Sequence, residues 1–202
     1  MSNLEFYFDC SSPWTYLAFS RVSDVANRAN ATIEWKPILV GGVFNAVNEA
    51  VYEARAKPNP VKARYYAKDL QDWANHCGIK IGQPPVFPVR AVEVMRGAIV
   101  ALDEGKLEPY ADAAFRAYWG DLKDISQPEE LQAICGQAGL DWSRFQTRIG
   151  EADVKDRLRA NTEELISRGG FGSPTMFVNE TDMYFGNDRL PLVEAALTSS
   201  AA

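Results

Sequence analysis

Strand-type patterning occurs only at the two ends of this chain, and that distribution limits the folds open to it. Near the start, Leu4-Glu5-Phe6-Tyr7-Phe8-Asp9 alternates large apolar residues at Leu4, Phe6 and Phe8, and Thr32-Ile33-Glu34-Trp35-Lys36-Pro37 alternates again. Between them Ser12 suits an N-cap and Pro13 a first helical position, with Leu17, Ala18, Val22, Val25, Ala26 and Ala29 recurring at helical spacing. This opening reads β-α-β, a crossover that favours parallel pairing. Near the end, residues 173–178 and Met183-Tyr184-Phe185 flank the turn-forming Asn179-Glu180-Thr181-Asp182 and predict a hairpin. Asn187-Asp188-Arg189-Leu190-Pro191 then opens a last helix toward Leu197.

From Gly41 to Gly170 the periodicity is helical. Asn59 as N-cap, Pro60 in the first turn and Gly78 past the end bracket one helix, whose larger apolar residues include Val61, Tyr65, Leu70 and Trp73. Further helices are predicted over 91–103, 109–119 and 153–167, and Ser126-x-x-Glu129, with Pro128 inside it, reads as a capping box. Neither end of the chain can complete a sheet alone, so the two must combine. The prediction is an α/β, thioredoxin-like fold: residues 1–40 and 171–202 form the thioredoxin-like domain and residues 41–170 an all-helical insertion.

Composition narrows the function. The 202 residues are 47% hydrophobic and 24% charged, within the range of a globular domain with a real core. A formal net charge of −6, with no basic cluster interleaved with aromatics, argues against nucleic acid as a partner. No apolar run nears the roughly 20 residues that span a bilayer, and Met1-Ser2-Asn3-Leu4-Glu5 lacks the basic start of a signal peptide; no membrane partner and a cytoplasmic setting are expected. Cys10, Cys77 and Cys135 are widely spaced and His76 is the single histidine, so neither a disulfide framework nor a metal site is expected. Cys10 reads either as a reactive thiol or, lacking a C-x-x-C partner, as a small buried filler.

Three short stretches could carry chemistry. Ser12-Pro13-Trp14-Thr15 stands where thioredoxin-like redox proteins place C-P-x-C, with Ser and Thr in place of both cysteines. A helix start favours an anion, so the position that would lower a cysteine pKa would equally stabilise an external thiolate, with the Ser12 hydroxyl donating to it; the alternative is that Ser12 only caps its helix. Trp14, beside Pro13, would flank the ligand entrance. Gly172-Ser173-Pro174-Thr175 precedes the third strand: Pro174 is either a strand-start proline or a cis-proline that turns the Ser173 backbone toward an extended ligand. In Phe185-Gly186-Asn187-Asp188 a strand gives way to a helix, whose amides could hold a ligand carboxylate while Asp188 pairs with an amine; N-capping by Asn187 or Asp188 is the alternative.

The set Phe8-Asp9-x-x-Ser12-Pro13-x-x-Tyr16, Gly41-Gly42-Val43-Phe44, Asp69-Leu70-x-x-Trp73-Ala74, Phe171-Gly172-Ser173-Pro174-Thr175-Met176-Phe177 and Phe185-Gly186-Asn187-Asp188-Arg189-Leu190 resembles the 2-hydroxychromene-2-carboxylate isomerases. These are relatives of kappa-class glutathione transferases in the DsbA-like thioredoxin superfamily, and the resemblance covers essentially the whole chain. It implies a glutathione-dependent isomerase of an aromatic oxo acid in the breakdown of naphthalene-like compounds. The implied roles are Ser12 holding the glutathione sulfur as the catalytic residue, Ser173, Pro174, Phe185, Gly186, Asn187 and Asp188 binding the rest of glutathione, and Asn59 and Lys62 near the substrate. The implied partners are small molecules, with the oligomeric state, a homodimer included, left open. A kappa-like transferase that conjugates electrophiles and a non-catalytic thioredoxin-like peptide-binding module are the competing functions. A disulfide oxidoreductase is contradicted, since Ser12 and Thr15 cannot cycle between dithiol and disulfide.

Overall fold

The structure is a computed structural model that describes residues 2–199. The outermost residues of the expected thioredoxin-like domain, Met1 and 200–202, lie outside that range. Four strands form one sheet: β1 (Asn3–Phe8), β2 (Thr32–Pro37), β3 (Thr175–Val178) and β4 (Asp182–Phe185), in the order β2-β1-β3-β4. β1 pairs with β2 in parallel, Phe6 opposite Trp35, while β3 runs antiparallel to both β1 and β4. The two ends of the chain therefore complete one thioredoxin-like sheet across the intervening helices.

β1 is more deeply enclosed than its alternation predicts, because as an inner strand it is covered on both faces. Leu4, Phe6 and Phe8 enter the main core, with α1 (Pro13–Arg28) and the C-terminal helix α10 (Leu190–Ser199) contributing Phe19, Val22, Val193 and Leu197. On the opposite face Tyr7 packs with Ile38, Val43, Leu165 and Phe177 in a second cluster. Trp35 meets Phe6, Phe8 and Phe19 at 5.5 to 6.0 Å between ring centres, so the aromatic set joins the parallel pair to α1.

The intervening segment holds α2 (Val40–Val47), α3 (Ala50–Ala56), α4 (Pro60–Cys77), α5 (Val92–Asp103), α6 (Leu107–Phe115), α7 (Pro128–Gln137), α8 (Trp142–Arg148) and α9 (Ala152–Ser167). Small residues let α5 and α6 approach closely: a Cβ on Gly97 would overlap the Tyr110 hydroxyl and the Phe145 ring. The block is fastened to α1 by the parallel stacking of Tyr16 on Phe115, 5.0 Å between centres. Among the described residues no helix is long and apolar enough to cross a membrane.

Several local expectations need correction. The capping box does not form. Pro128 takes the first helical position, which makes Gln127 the N-cap, and the Ser126 hydroxyl turns back to donate to Asp124 Oδ1 at 2.6 Å. The helix expected over 109–119 is α6 followed by a π-helical turn, Arg116–Gly120. Val61 and Tyr65 are exposed on α4 and only Leu70 and Trp73 of that apolar set reach the core, because α4 packs along one side only. α2, α3 and α8 are too short for their patterns to stand out individually.

Candidate functional site

The site lies at the C-terminal end of β1, where the chain turns through Cys10, Ser11 and Ser12 into α1. Ser12 has the extended backbone of an N-cap (φ −106°, ψ 122°), and its Oγ accepts from the Thr15 N–H at 3.2 Å. The same hydroxyl donates to the Ser173 carbonyl at 3.1 Å. Capping is thus one of two bonds it makes, and the second ties α1 to the loop before β3. The Ser173–Pro174 peptide is cis, as is Phe87–Pro88.

Hydroxyls fill the places of both redox cysteines. Thr15 is fully buried, and its Oγ1 lies 2.7 Å from Ser173 Oγ, which also accepts from the Asp9 N–H at 3.1 Å. The Asp9 carboxylate sits under the turn: Oδ1 accepts from the N–H and hydroxyl of Ser11 (2.8 and 2.7 Å), and Oδ2 from the Val40 N–H at the start of α2 (2.8 Å). Burial raises the Asp9 pKa against the pull of these bonds. Burial also pushes the Cys10 thiol well up, with the Asp9 charge adding to it, and the side chain is fully enclosed, as expected of a small buried filler. Its backbone does the fastening: Trp119 Nε1 donates to the Cys10 carbonyl at 3.0 Å.

Two cavities meet around this turn. The larger, about 490 Å³, is lined by Ser11, Ser12, Trp14, Val40, Phe44, Tyr52, Arg55, Phe87 and Pro88 among others. The smaller, about 340 Å³, is lined by Asp69, Trp73, Pro174, Gly186, Asn187, Asp188 and Arg189. Trp14, Ser173 and Phe185 border both. The sequence-predicted Ser12, Trp14, Ser173, Pro174, Phe185, Gly186, Asn187 and Asp188 all line one or both of these spaces. Asn59 and Lys62 line neither: Asn59 Oδ1 caps α4, accepting from Val61 and Lys62 N–H at 3.0 and 3.2 Å, and the Lys62 side chain is exposed.

The backbone is tightly constrained around both cavities. On the larger, Gly172 lies where a Cβ would come within 2.8 Å of the Phe185 ring; on the smaller, Gly186 has φ +106°, a conformation side chains rarely adopt. Asn187 is buried, and its side-chain carbonyl accepts from Arg21 Nη2 at 2.8 Å; the guanidinium of Arg21 in turn lies 5.0 Å over the Trp73 ring. Asp188 is half-exposed and pairs with Arg189 at 2.9 Å. Gly186 holds the N-cap position of the 3-10 turn Asn187–Arg189, one residue before Asn187.

Sequence reasoning missed the wall of the larger cavity. Phe44, Tyr52, Arg55, Phe87 and Pro88 come from α2, α3 and the connection before α5, and no local pattern joins them. It also missed Arg21 and Asp9 as supports of the site; Asp9 follows β1 directly, and its bonds to Val40 and Ser173 join residues distant in sequence, which is visible only in three dimensions.

The comparisons agree with this architecture. Residues 3–198 match the family model described as DSBA-like thioredoxin domain. The chain is 32% identical over 197 residues to a 2-hydroxychromene-2-carboxylate isomerase of Pseudomonas putida, covering 96% of this chain and 93% of that one. The chain belongs to the 2-hydroxychromene-2-carboxylate isomerase family. A solved structure of a member of that family superimposes with a TM-score of 0.82 at 28% identity, covering 98% of this chain and 96% of the other. The family's kinship with transferases is visible too: human glutathione S-transferase kappa 1 is 26% identical over 208 residues, covering 94% of this chain and 88% of its own.

Proposed function

We propose that this isomerase acts on 2-hydroxychromene-2-carboxylate or a related aromatic oxo acid, opening it to an o-hydroxybenzylidenepyruvate, with glutathione as cofactor and Ser12 as the catalytic residue. The observation that carries this reading is the placing of the Ser12 hydroxyl: at the start of α1, beside Ser173, on the wall of a largely apolar cavity that adjoins a smaller one lined by Asp69, Asn187, Asp188 and Arg189. A thiolate at that point would meet both the helix dipole and a hydroxyl donor, while the smaller cavity takes the remainder of a peptide. Residues 1–40 and 171–202 form the glutathione-binding domain in this reading and residues 41–170 an inserted helical one, and the compartment is the cytoplasm, in keeping with three free cysteines.

The residues around the smaller cavity fit glutathione. The Ser173 backbone on the cavity wall provides for an extended peptide, and Asp188 can give up Arg189 for the ligand amine, with Phe185, Gly186 and the Asn187 backbone shaping the wall. When bound, glutathione supplies a thiolate able to add to and leave a conjugated oxo acid, which lets the double bond rotate. Ser12 shifts its proton from the Ser173 carbonyl toward the sulfur, favouring the ionised form. Trp14 and Phe185 divide the two spaces and shield the sulfur from water.

The test is Ser12→Ala in the full chain, followed by the ultraviolet thiolate absorbance of bound glutathione against pH and by the isomerase rate. The bound thiol pKa should rise and the rate at neutral pH should fall about ten- to a hundredfold, as expected for a charge-assisted hydrogen bond of about 1.5 to 3 kcal/mol. Unshifted titration and full activity would leave Ser12 as a helix cap only. A kappa-type transferase is the second reading, favoured by the 26% identity to the human enzyme, and turnover of a neutral electrophile in place of the oxo acid would select it.

A further inference from the structure

The larger cavity is walled by Phe44, Val51, Tyr52, Phe87, Pro88 and Trp14, and among the described residues the only charged side chain on its lining is Arg55, in the last turn of α3. The guanidinium carbon of Arg55 lies 5.5 Å from the centre of the Phe44 ring and 5.2 Å from that of Phe87. The two rings come from separate segments, α2 and the connection before α5, so the cation is held between them in place of moving freely on the surface. Among the described residues no hydrogen bond or ion pair engages its N–H groups. The other long polar side chains of the lining are already committed: Asn48 Nδ2 donates to the Phe171 carbonyl at 3.0 Å, and the Tyr52 hydroxyl to Asn45 Oδ1 at 2.7 Å.

We infer that Arg55 is the specificity-determining residue of the larger cavity, binding the carboxylate of an aromatic acid whose ring lies against Phe44, Tyr52 and Phe87. A cation stacked by aromatic faces keeps its fork of donors at the edge, where a planar carboxylate is met bidentately, and the surrounding apolar wall strengthens that pairing while taking the ring. A neutral electrophile gains nothing from those donors, which stay with water on this exposed side chain, so Arg55 favours the acid over it. The inference rests on reading the larger cavity as the acceptor's, which Arg55 lines and Lys62, exposed on α4, does not.

Carboxylates also belong to glutathione, so the experiment separates the two sources. Wild type, Arg55→Gln and Arg55→Lys are titrated calorimetrically with benzylidenepyruvate and with its methyl ester, in the presence of S-methylglutathione, which has no free thiol and permits no turnover. S-methylglutathione alone is titrated in parallel. Wild type should bind the acid at least tenfold more tightly than the ester. Arg55→Gln should lose about ten- to a hundredfold for the acid and almost nothing for the ester or S-methylglutathione, with Arg55→Lys between. Equal losses for acid and ester would make Arg55 a brace for the two rings and overturn the inference. So would a loss confined to S-methylglutathione, which would assign the bound carboxylate to the tripeptide, or an unchanged affinity for the acid. If the acid-over-ester preference and its loss in Arg55→Gln are found in a protein that shows no isomerase turnover, the inference stands and the proposed reaction falls.

Discussion

The two ends of β1 carry two buried polar clusters built on opposite plans. At the N-terminal half, Glu5 accepts from Arg168 Nη2 at 2.9 Å and from the Tyr7 hydroxyl at 3.0 Å, and Arg168 also lies 3.8 Å over the Phe177 ring. Burial alone would raise the Glu5 carboxyl, but the bonds from Arg168 and Tyr7 and the charges of Arg168 and Lys36 outweigh it and hold it below its ordinary value. At the C-terminal end Asp9 has no cation; neutral N–H and hydroxyl donors surround it, and burial prevails. The first cluster is saturated and closed. The second keeps Ser12 half-buried on a cavity wall, with a hydroxyl whose present acceptor, a backbone carbonyl, a better one can displace. What separates the two clusters is whether a full charge has been neutralised inside them.

Arg168→Met is the most severe test of that contrast. Removing one partner strands the Glu5 carboxylate, and stability measured by urea denaturation should drop by about 3 kcal/mol or more while glutathione affinity at the other end of the strand stays unchanged. The pH dependence has a defined sign. Because the Glu5 value is lower in the folded state, its contribution is present above the unfolded value near 4.5 and lost as pH falls through the folded one, so the acid side of the stability profile should flatten in Arg168→Met. An unaltered acid limb would show that the pair is not what holds this end.

Thr15→Val removes the buried hydroxyl facing Ser173 with little change in shape, and should cost about 1 to 2 kcal/mol of stability with activity retained within about threefold. A stable but inactive Thr15→Val would mean that this hydroxyl serves the reaction and not only the contact with Ser173. The smallest effect is expected for Ser11→Ala, about 0.5 to 1 kcal/mol in the same denaturation assay, because the Ser11 N–H still bonds Asp9 once the hydroxyl is gone. A rate loss matching that of Ser12→Ala would exchange the roles assigned to the two serines.

Local chemistry in the chain was enough to read the sheet ends, the N-caps Ser12 and Asn59 and the turn at Gly78, since each depends on residues within a few positions of one another. The gathering of Ser12, Ser173 and Phe185–Asp188 around one pair of cavities was legible too, since all lie at strand ends in the order that a thioredoxin-like unit requires. Tertiary structure alone decided the rest. Glu5 looks like a solvent-facing strand residue until α9 covers that face and brings Arg168 over it, and Val61 looks like a core residue until α4 packs by its other side. Arg55 carries no local mark at all. Its role comes from two rings about 11 and 32 positions away in sequence, and a contact between distant segments has no signature in the periodicity of any one of them.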